Sequence, residues 1–254
     1  MSGPDQSNSA VSIEHLTVSY QTKPVLVDIS LEVPRGTVVG ILGPNGAGKS
    51  TIIKSIMGFV PRDFGSVRIF NEPVDDACGL VAYVPQRGQI DWNFPVTVRD
   101  VVMMGRYGHR RWYQSMRALD RAKASEALES VRMSEFMDRQ IGQLSGGQQQ
   151  RVFMARALAQ ESEILLLDEP FAGVDAATER AIAGLLAQAK EQNKTVIVVH
   201  HDLETAAEFF DAVVLLNRRL YAYGPPREVL DQGLLAEVYG GKLRNLSWRQ
   251  EEAT

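Results

Sequence analysis

A lysine and two hydroxyl residues at the end of a glycine-rich stretch are a set of groups that can hold polyphosphate. The stretch is Gly43, Pro44, Asn45, Gly46, Ala47, Gly48, Lys49, Ser50 and Thr51, and it fits the pattern G-x-x-x-x-G-K-[ST]. Glycines let the backbone curl until several N–H groups face one anion. A following helix adds the partial positive charge of its N-terminus. Lys49 brings a full charge for β- and γ-phosphates, Ser50 a hydroxyl for Mg²⁺, and Thr51 a further phosphate contact. An aliphatic run over 164–167 ends in two adjacent carboxylates, Asp168 and Glu169. Asp168 suits Mg²⁺ or its water, and Glu169 suits polarising an attacking water. Taken alone, the pair is more simply a strand end followed by a capping acid. Beside a phosphate loop the chemical reading gains weight. A second anion site is written in Leu144, Ser145, Gly146, Gly147 and Gln148, which precede a helical run at 149–160. Bare N–H groups, a hydroxyl and a helix start bind phosphate. The chain thus has two phosphate-binding ends but one lysine-bearing loop, so two copies set head to tail would complete each other's sites.

The elements that must position these groups can be read from period and punctuation. Short β-rich runs at 11–20, 25–33 and 37–42 are separated by turn signals. A helix follows the glycine loop over 49–58, and strands are expected at 65–70 and 79–84. From about 87 to 160 the pattern is mostly helical, with strong helix formers dense over 120–132. Strands at 163–168, 194–199, 212–216 and 220–224 then alternate with helices near 176–191 and 203–209. Ile182, Leu185, Leu186 and Ala189 fall at helical spacing and predict one buried face. Buried strands alternating with helices imply an α/β fold: a mostly parallel sheet with helices on its faces, and the helical middle inserted into it.

The 254 residues are 44% hydrophobic and 23% charged, ordinary values for a globular chain. A net charge of -4 argues against holding nucleic acid by bulk charge. One cysteine, Cys78, excludes an internal disulfide and reads as a small, partly buried side chain. No apolar run approaches the ~20 residues that would cross a bilayer. Residues 1–10 are polar, lack the features of a secretion signal, and read as a disordered tail.

In order and spacing these motifs resemble the ATP-binding subunit of an ATP-binding cassette (ABC) transporter, over nearly the whole chain. Gly43 to Thr51 match that family's phosphate loop, Gln86 its glutamine loop, and Leu144 to Gln148 its signature. Asp168 and Glu169 match the acidic strand end, Gly173 to Asp175 the loop after it, His201 the switch histidine, and Tyr20 the aromatic that stacks on adenine. The resemblance implies a P-loop NTPase core with an N-terminal antiparallel β subdomain and an inserted helical subdomain. It implies one ATPase domain over 11–243, with a tail at 244–254. Catalysis would fall to Glu169, His201, Gln86 and Lys49. Mg²⁺ would be held by Ser50, Gln86 and Asp168. Ser145, Gly146, Gly147 and Gln148 would reach the ATP of the opposite subunit, and Asp175 would couple the two sites. Implied partners are integral-membrane permease subunits, a second copy of the ATPase and, indirectly, an extracytoplasmic solute-binding protein, with no nucleic acid. The implied location is the cytoplasmic face of the membrane.

Residues 86–107 carry aromatics and methionines in a polar stretch and read as a docking surface for a partner helix. Two pieces of it, Asp91 to Pro95 and Met104 to Tyr107, resemble the branch that imports manganese, zinc or chelated iron, as does the run Val199 to Asp202. His200 reads as structural, since it and His201 face opposite ways on an extended segment. His15 and His109 read as solvated, and two adjacent histidines do not make a transition-metal site. The competing functions are a soluble ABC-type ATPase in cofactor assembly or nucleic-acid remodelling, and a P-loop kinase or GTPase. Against the last stand the signature and the lack of a guanine-reading Asn-Lys-x-Asp.

Overall fold

The computed structural model describes residues 8–92, 94–109 and 114–240. Among the described residues ten strands form two sheets. Strands β1 (Ser9–Tyr20), β2 (Lys23–Pro34), β4 (Phe64–Ile69) and β5 (Glu72–Pro73) make an antiparallel sheet in the order β2-β1-β4-β5. The other six are β3 (Val38–Leu42), β6 (Val81–Val84), β7 (Ile164–Asp168), β8 (Thr195–Val199), β9 (Ala212–Asn217) and β10 (Arg219–Gly224), in the order β10-β9-β3-β8-β7-β6. All neighbours in that sheet are parallel except the β9–β10 hairpin.

Every residue of β3, β7 and β8 is buried, because both faces of the sheet are covered. Alternation sorts their side chains into two cores. Leu42, Leu165, Leu167, Val196 and Val198 pack toward the helical side. Val39, Ile41, Ile164, Leu166 and Ile197 pack toward the antiparallel sheet and helix α1 (Lys49–Ile56). Helix α5 (Ala176–Glu191) buries Ile182, Leu185, Leu186 and Ala189, the face its spacing predicts.

The inserted helical part contains α2 (Val98–Met104), α3 (Ala118–Ser130) and α4 (Gly146–Ala159), linked by short 3₁₀ turns. Helices α6 (Leu203–Phe209), α7 (Pro226–Val229) and α8 (Gln232–Tyr239) complete the order. The fold is a P-loop NTPase core with an antiparallel N-terminal subdomain and an inserted helical subdomain.

The N-terminal boundary needs a correction. Ser9 and Ala10, expected in a tail, are buried in β1. Ser9 is accommodated because its hydroxyl donates to the Val11 carbonyl at 3.0 Å, which removes the penalty of burying it. Strand β6 begins at Val81, because Cys78–Leu80 turn as a 3₁₀ segment. The tail expected at 244–254, residues 1–7 and the side chain of Cys78 lie outside the described residues.

Candidate functional site

The C-terminal edge of the six-stranded sheet brings the sequence motifs together, as crevices in open α/β sheets do. Strand β3 ends at Leu42 and releases the glycine loop. Its neighbour β8 ends at Val199, before His200 and His201. Next, β7 ends at Asp168 beside Val199, and then β6 ends at Val84 opposite Leu167, two residues before Gln86.

The glycine loop needs its glycines. Gly43 has φ 153°, and a Cβ there would run into the Leu216 carbonyl; Gly48 has φ 97° and a Cβ there would lie 2.6 Å from Leu26. Gly48 also caps α1, which has no side-chain cap. Helices α2, α4, α5, α6 and α8 are all capped by a side chain. The first N–H groups of α1 are therefore left for a ligand, and the helix dipole favours an anion there. Lys49 is buried, and its Nζ donates to the carbonyls of Gly43 at 2.7 Å and Pro44 at 3.0 Å. Burial lowers its pKa, against the opposing pull of Glu169 and Asp168.

Across from Lys49, Asp168 is 1% exposed. Ser50 Oγ donates to its Oδ1 at 3.4 Å, while its Oδ2 is buried without a hydrogen-bond partner. Burial raises its pKa and the Glu169 charge adds to the rise, opposed by Ser50 and by Lys54 and Lys49. The phenol of Tyr83 also faces this carboxylate without hydrogen-bond geometry, and burial with the Asp168 charge pushes it up to about 12. Glu169 sits at φ 51°, a left-handed conformation that costs a non-glycine residue about 1–3 kcal/mol. Its amide donates to the Val199 carbonyl at 3.1 Å, and its carboxylate accepts from Gln86 Nε2 at 2.7 Å.

Ser145 caps α4: its hydroxyl accepts from Gln148 N at 3.4 Å, and Gln148 Oε1 accepts from Ser145 N at 2.9 Å. Ser145 is exposed, with Gly146, Gly147 and Gln148 half-buried. Gly146 and Gly147 allow close approach, since added Cβ atoms would lie 2.5 Å from Arg87 Nη1 and 2.8 Å from Thr178 Oγ1. Asp175 is exposed and caps α5 by accepting from Thr178 N at 2.7 Å. Tyr20 is 45% exposed at the turn of the β1–β2 hairpin, whose second strand underlies the glycine loop through Leu26.

The sequence profile of the ABC transporter family matches residues 26–172, more than half of the chain. The chain belongs to the ABC transporter family. Among its relatives is the manganese transport system ATP-binding protein MntB of Bacillus subtilis, 54% identical over 92% of this chain and 93% of that protein. The zinc transport system ATP-binding protein TroB of Treponema pallidum is 51% identical over 92% of this chain and 88% of its own length. Among solved structures, an inward-facing metal-chelate-type ABC transporter has a chain that superposes with a TM-score of 0.81 at 28% identity, covering 91% of this chain and 89% of that one.

Within this ABC fold the histidines differ. His200 is 1% exposed, with Nε2 2.8 Å from Thr205 Oγ1 and edge-on contacts to Phe171 and Phe210. Exposed His201 makes no hydrogen bond to the other motif residues among the described residues. Burial, with the neighbouring His201 charge, pushes His200 down to about 4. A histidine takes its proton near pH 6.5 once unfolded, so the fold loses stability as pH falls from 6.5 toward 4, by roughly 3 kcal/mol in all. His200→Phe should flatten that slope in urea unfolding measured across the window; equal slopes in both proteins would contradict the assignment. His15 and His109 are exposed, the first 2.8 Å from Asp28 and the second 2.7 Å from the Gln160 carbonyl.

The stretch at 86–107 divides. Trp92, Val96, Val98, Val101, Val102 and Met103 pack into or against the core, while Phe94, Met104 and Tyr107 stay exposed. Sequence reasoning passed over Arg87, whose Nε donates to Gln149 Oε1 at 3.0 Å and whose guanidinium lies against Gly146. It joins the glutamine loop to the signature helix, and only its place after Gln86 could have flagged it. Tyr83 was missed because a strand tyrosine is ordinarily core.

Proposed function

We propose that this chain is the ATPase of a divalent-metal importer, working as a head-to-tail pair on the cytoplasmic side of a membrane permease. The observation that carries the catalytic part is the convergence of Lys49, Ser50, Asp168, Glu169 and Gln86 at one sheet edge. The metal, manganese or zinc in the first instance, follows from likeness to the manganese and zinc ATP-binding proteins.

ATP phosphates seat on the N–H groups of Gly46 and of Gly48 to Thr51, the Ala47 amide being taken by the Pro44 carbonyl, with Lys49 turning from its own loop carbonyls to the β- and γ-phosphates. The adenine stacks on Tyr20. The buried Asp168 Oδ2, lacking a partner beside the Ser50 hydroxyl, suits a hard cation with oxygen ligands. Ser50 and Asp168, with Gln86 at hand, would hold Mg²⁺, which supplies charge neutralisation on the phosphates. The γ-phosphate competes for the Gln86 amide and so releases the Glu169 carboxylate to orient water and accept its proton. His201 holds the γ-phosphate side of the site. Ser145 to Gln148 of a second copy close over it, and Asp175 meets the facing copy. Such an isologous pair has two equivalent sites. ATP bridges the closed pair and ADP does not, which is the differential affinity a two-state device needs.

Partner docking is supported by a cavity of about 400 Å³ between α1, β6, α2 and α4, lined by Met57, Phe59, Val81, Tyr83, Met104 and Arg156. Phe59 is 66% exposed there, an anchor for a permease helix. No described helix is long and apolar enough to cross a membrane, so that step needs a partner, and a binding protein would deliver the metal on the far side.

Radiolabelled manganese and zinc uptake in cells lacking the chain tests the reading. Uptake should fall for one of the two and return with the wild-type chain but not with Glu169→Gln. Uptake of both at the normal rate without the chain would move the function to a soluble ABC-type ATPase.

A further inference from the structure

Away from the nucleotide loop, a cleft of about 430 Å³ lies between the end of α3, α4 and the exposed side of α5. Three arginines line it, Arg132, Arg151 and Arg180, and no carboxylate does. We propose that this cleft is a second anion site, built for a phosphate group.

Arg132 and Arg180 are exposed, and neither guanidinium hydrogen-bonds to a side chain or carbonyl among the described residues. Arg151 is half-buried: its Nη1 donates to the Val131 carbonyl at 3.4 Å, while its Nε is buried with no partner. A buried donor left unpaired is destabilising unless a ligand satisfies it. Arg132 occupies a left-handed position, φ 57°, just past the end of α3, where glycine or asparagine is the easier choice. That placement puts its side chain in the cleft rather than along the helix. The opposite wall is one stripe of α5, where Ala177, Ala181 and Gly184 leave room, and a Cβ on Gly184 would meet nothing within 4 Å. Guanidinium forks match phosphate and carboxylate oxygens bidentately. Three of them around one open cleft favour the more highly charged phosphate.

The cleft also has a route to the nucleotide chemistry. Arg151 stands on α4 one turn past the signature, and its charge reaches Asp175 at the start of α5. A phosphate held by Arg180 on one side and by Arg132 and Arg151 on the other would tie the helical subdomain to the core.

The test uses the full chain with ADP and Mg²⁺ at saturation, so that the glycine loop is filled. Inorganic phosphate is titrated while the arginine Nε–H NMR resonances are followed. Saturable shifts are expected at Arg132, Arg151 and Arg180, absent with sodium chloride at equal ionic strength. The double variant Arg132→Gln, Arg180→Gln should weaken binding at least ~10-fold while leaving the ATP KM unchanged. A parallel titration with glycerol phosphate separates the sources: tighter binding points to a phosphorylated metabolite, equal or weaker binding to free phosphate, the product of the reaction. Shifts that never saturate, that chloride reproduces, or that persist undiminished in the double variant would overturn the site.

Discussion

Glu169→Gln is expected to slow ATP turnover by about 10²–10⁴-fold, the usual worth of a general base, while ATP still binds. The exchange is isosteric. It leaves Lys49 and its loop contacts, Ser50 and Asp168 in place. The left-handed backbone at Glu169 is no worse for glutamine, since neither is β-branched. What is lost is the carboxylate that accepts from Gln86 in the resting chain and would accept the water proton. Nucleotide affinity by equilibrium dialysis should stay close to wild type as single-turnover hydrolysis collapses. Hydrolysis at the wild-type rate would remove Glu169 from the reaction.

Ser145→Arg should leave ATP binding to the single chain intact and abolish ATP-induced pairing, and turnover with it. The Ser145 side chain is exposed, so a longer one fits in an isolated chain, but it would fill the space a second copy's phosphates must enter. The substitution also removes the cap that receives Gln148 N, a loss of about 1 kcal/mol. Ser145→Asn, which keeps a capping oxygen, separates cap loss from obstruction. Sedimentation with ATP, in a Glu169→Gln background to hold the nucleotide unhydrolysed, should find pairs without the arginine and single chains with it. Pairing that survives the arginine would place the interface elsewhere.

The fold was legible because the buried strands carry pure aliphatic runs: 164–167 and 196–199 can hardly be anything but interior parallel strands. The phosphate loop was legible because its glycines and lysine are all local in sequence. Contacts that depend on tertiary geometry were not. The left-handed turn at Glu169, which carries its carboxylate to Gln86, has no sequence mark. Arg87 reads as a solvated charge until Gln149, 62 residues on, is seen to receive it. The stretch at 86–107 is mixed in composition because it does two things. It seats Val98, Val101 and Val102 in the core and leaves Met104 and Tyr107 outside. At the N-terminus, buried Ser9 looked like tail because polarity is a poor guide where a hydroxyl finds a carbonyl.

The transport role proposed for this ATPase depends on its acting through a membrane protein. The most direct measurement is purification of the tagged chain from gently solubilised native membranes, with the copurifying proteins identified and their stoichiometry counted. The expected result is a multi-spanning protein at a fixed ratio to a pair of these chains, lost when Phe59 and Met104 are replaced by Asp. A chain that hydrolyses ATP yet comes through solubilisation with no membrane partner would contradict the account.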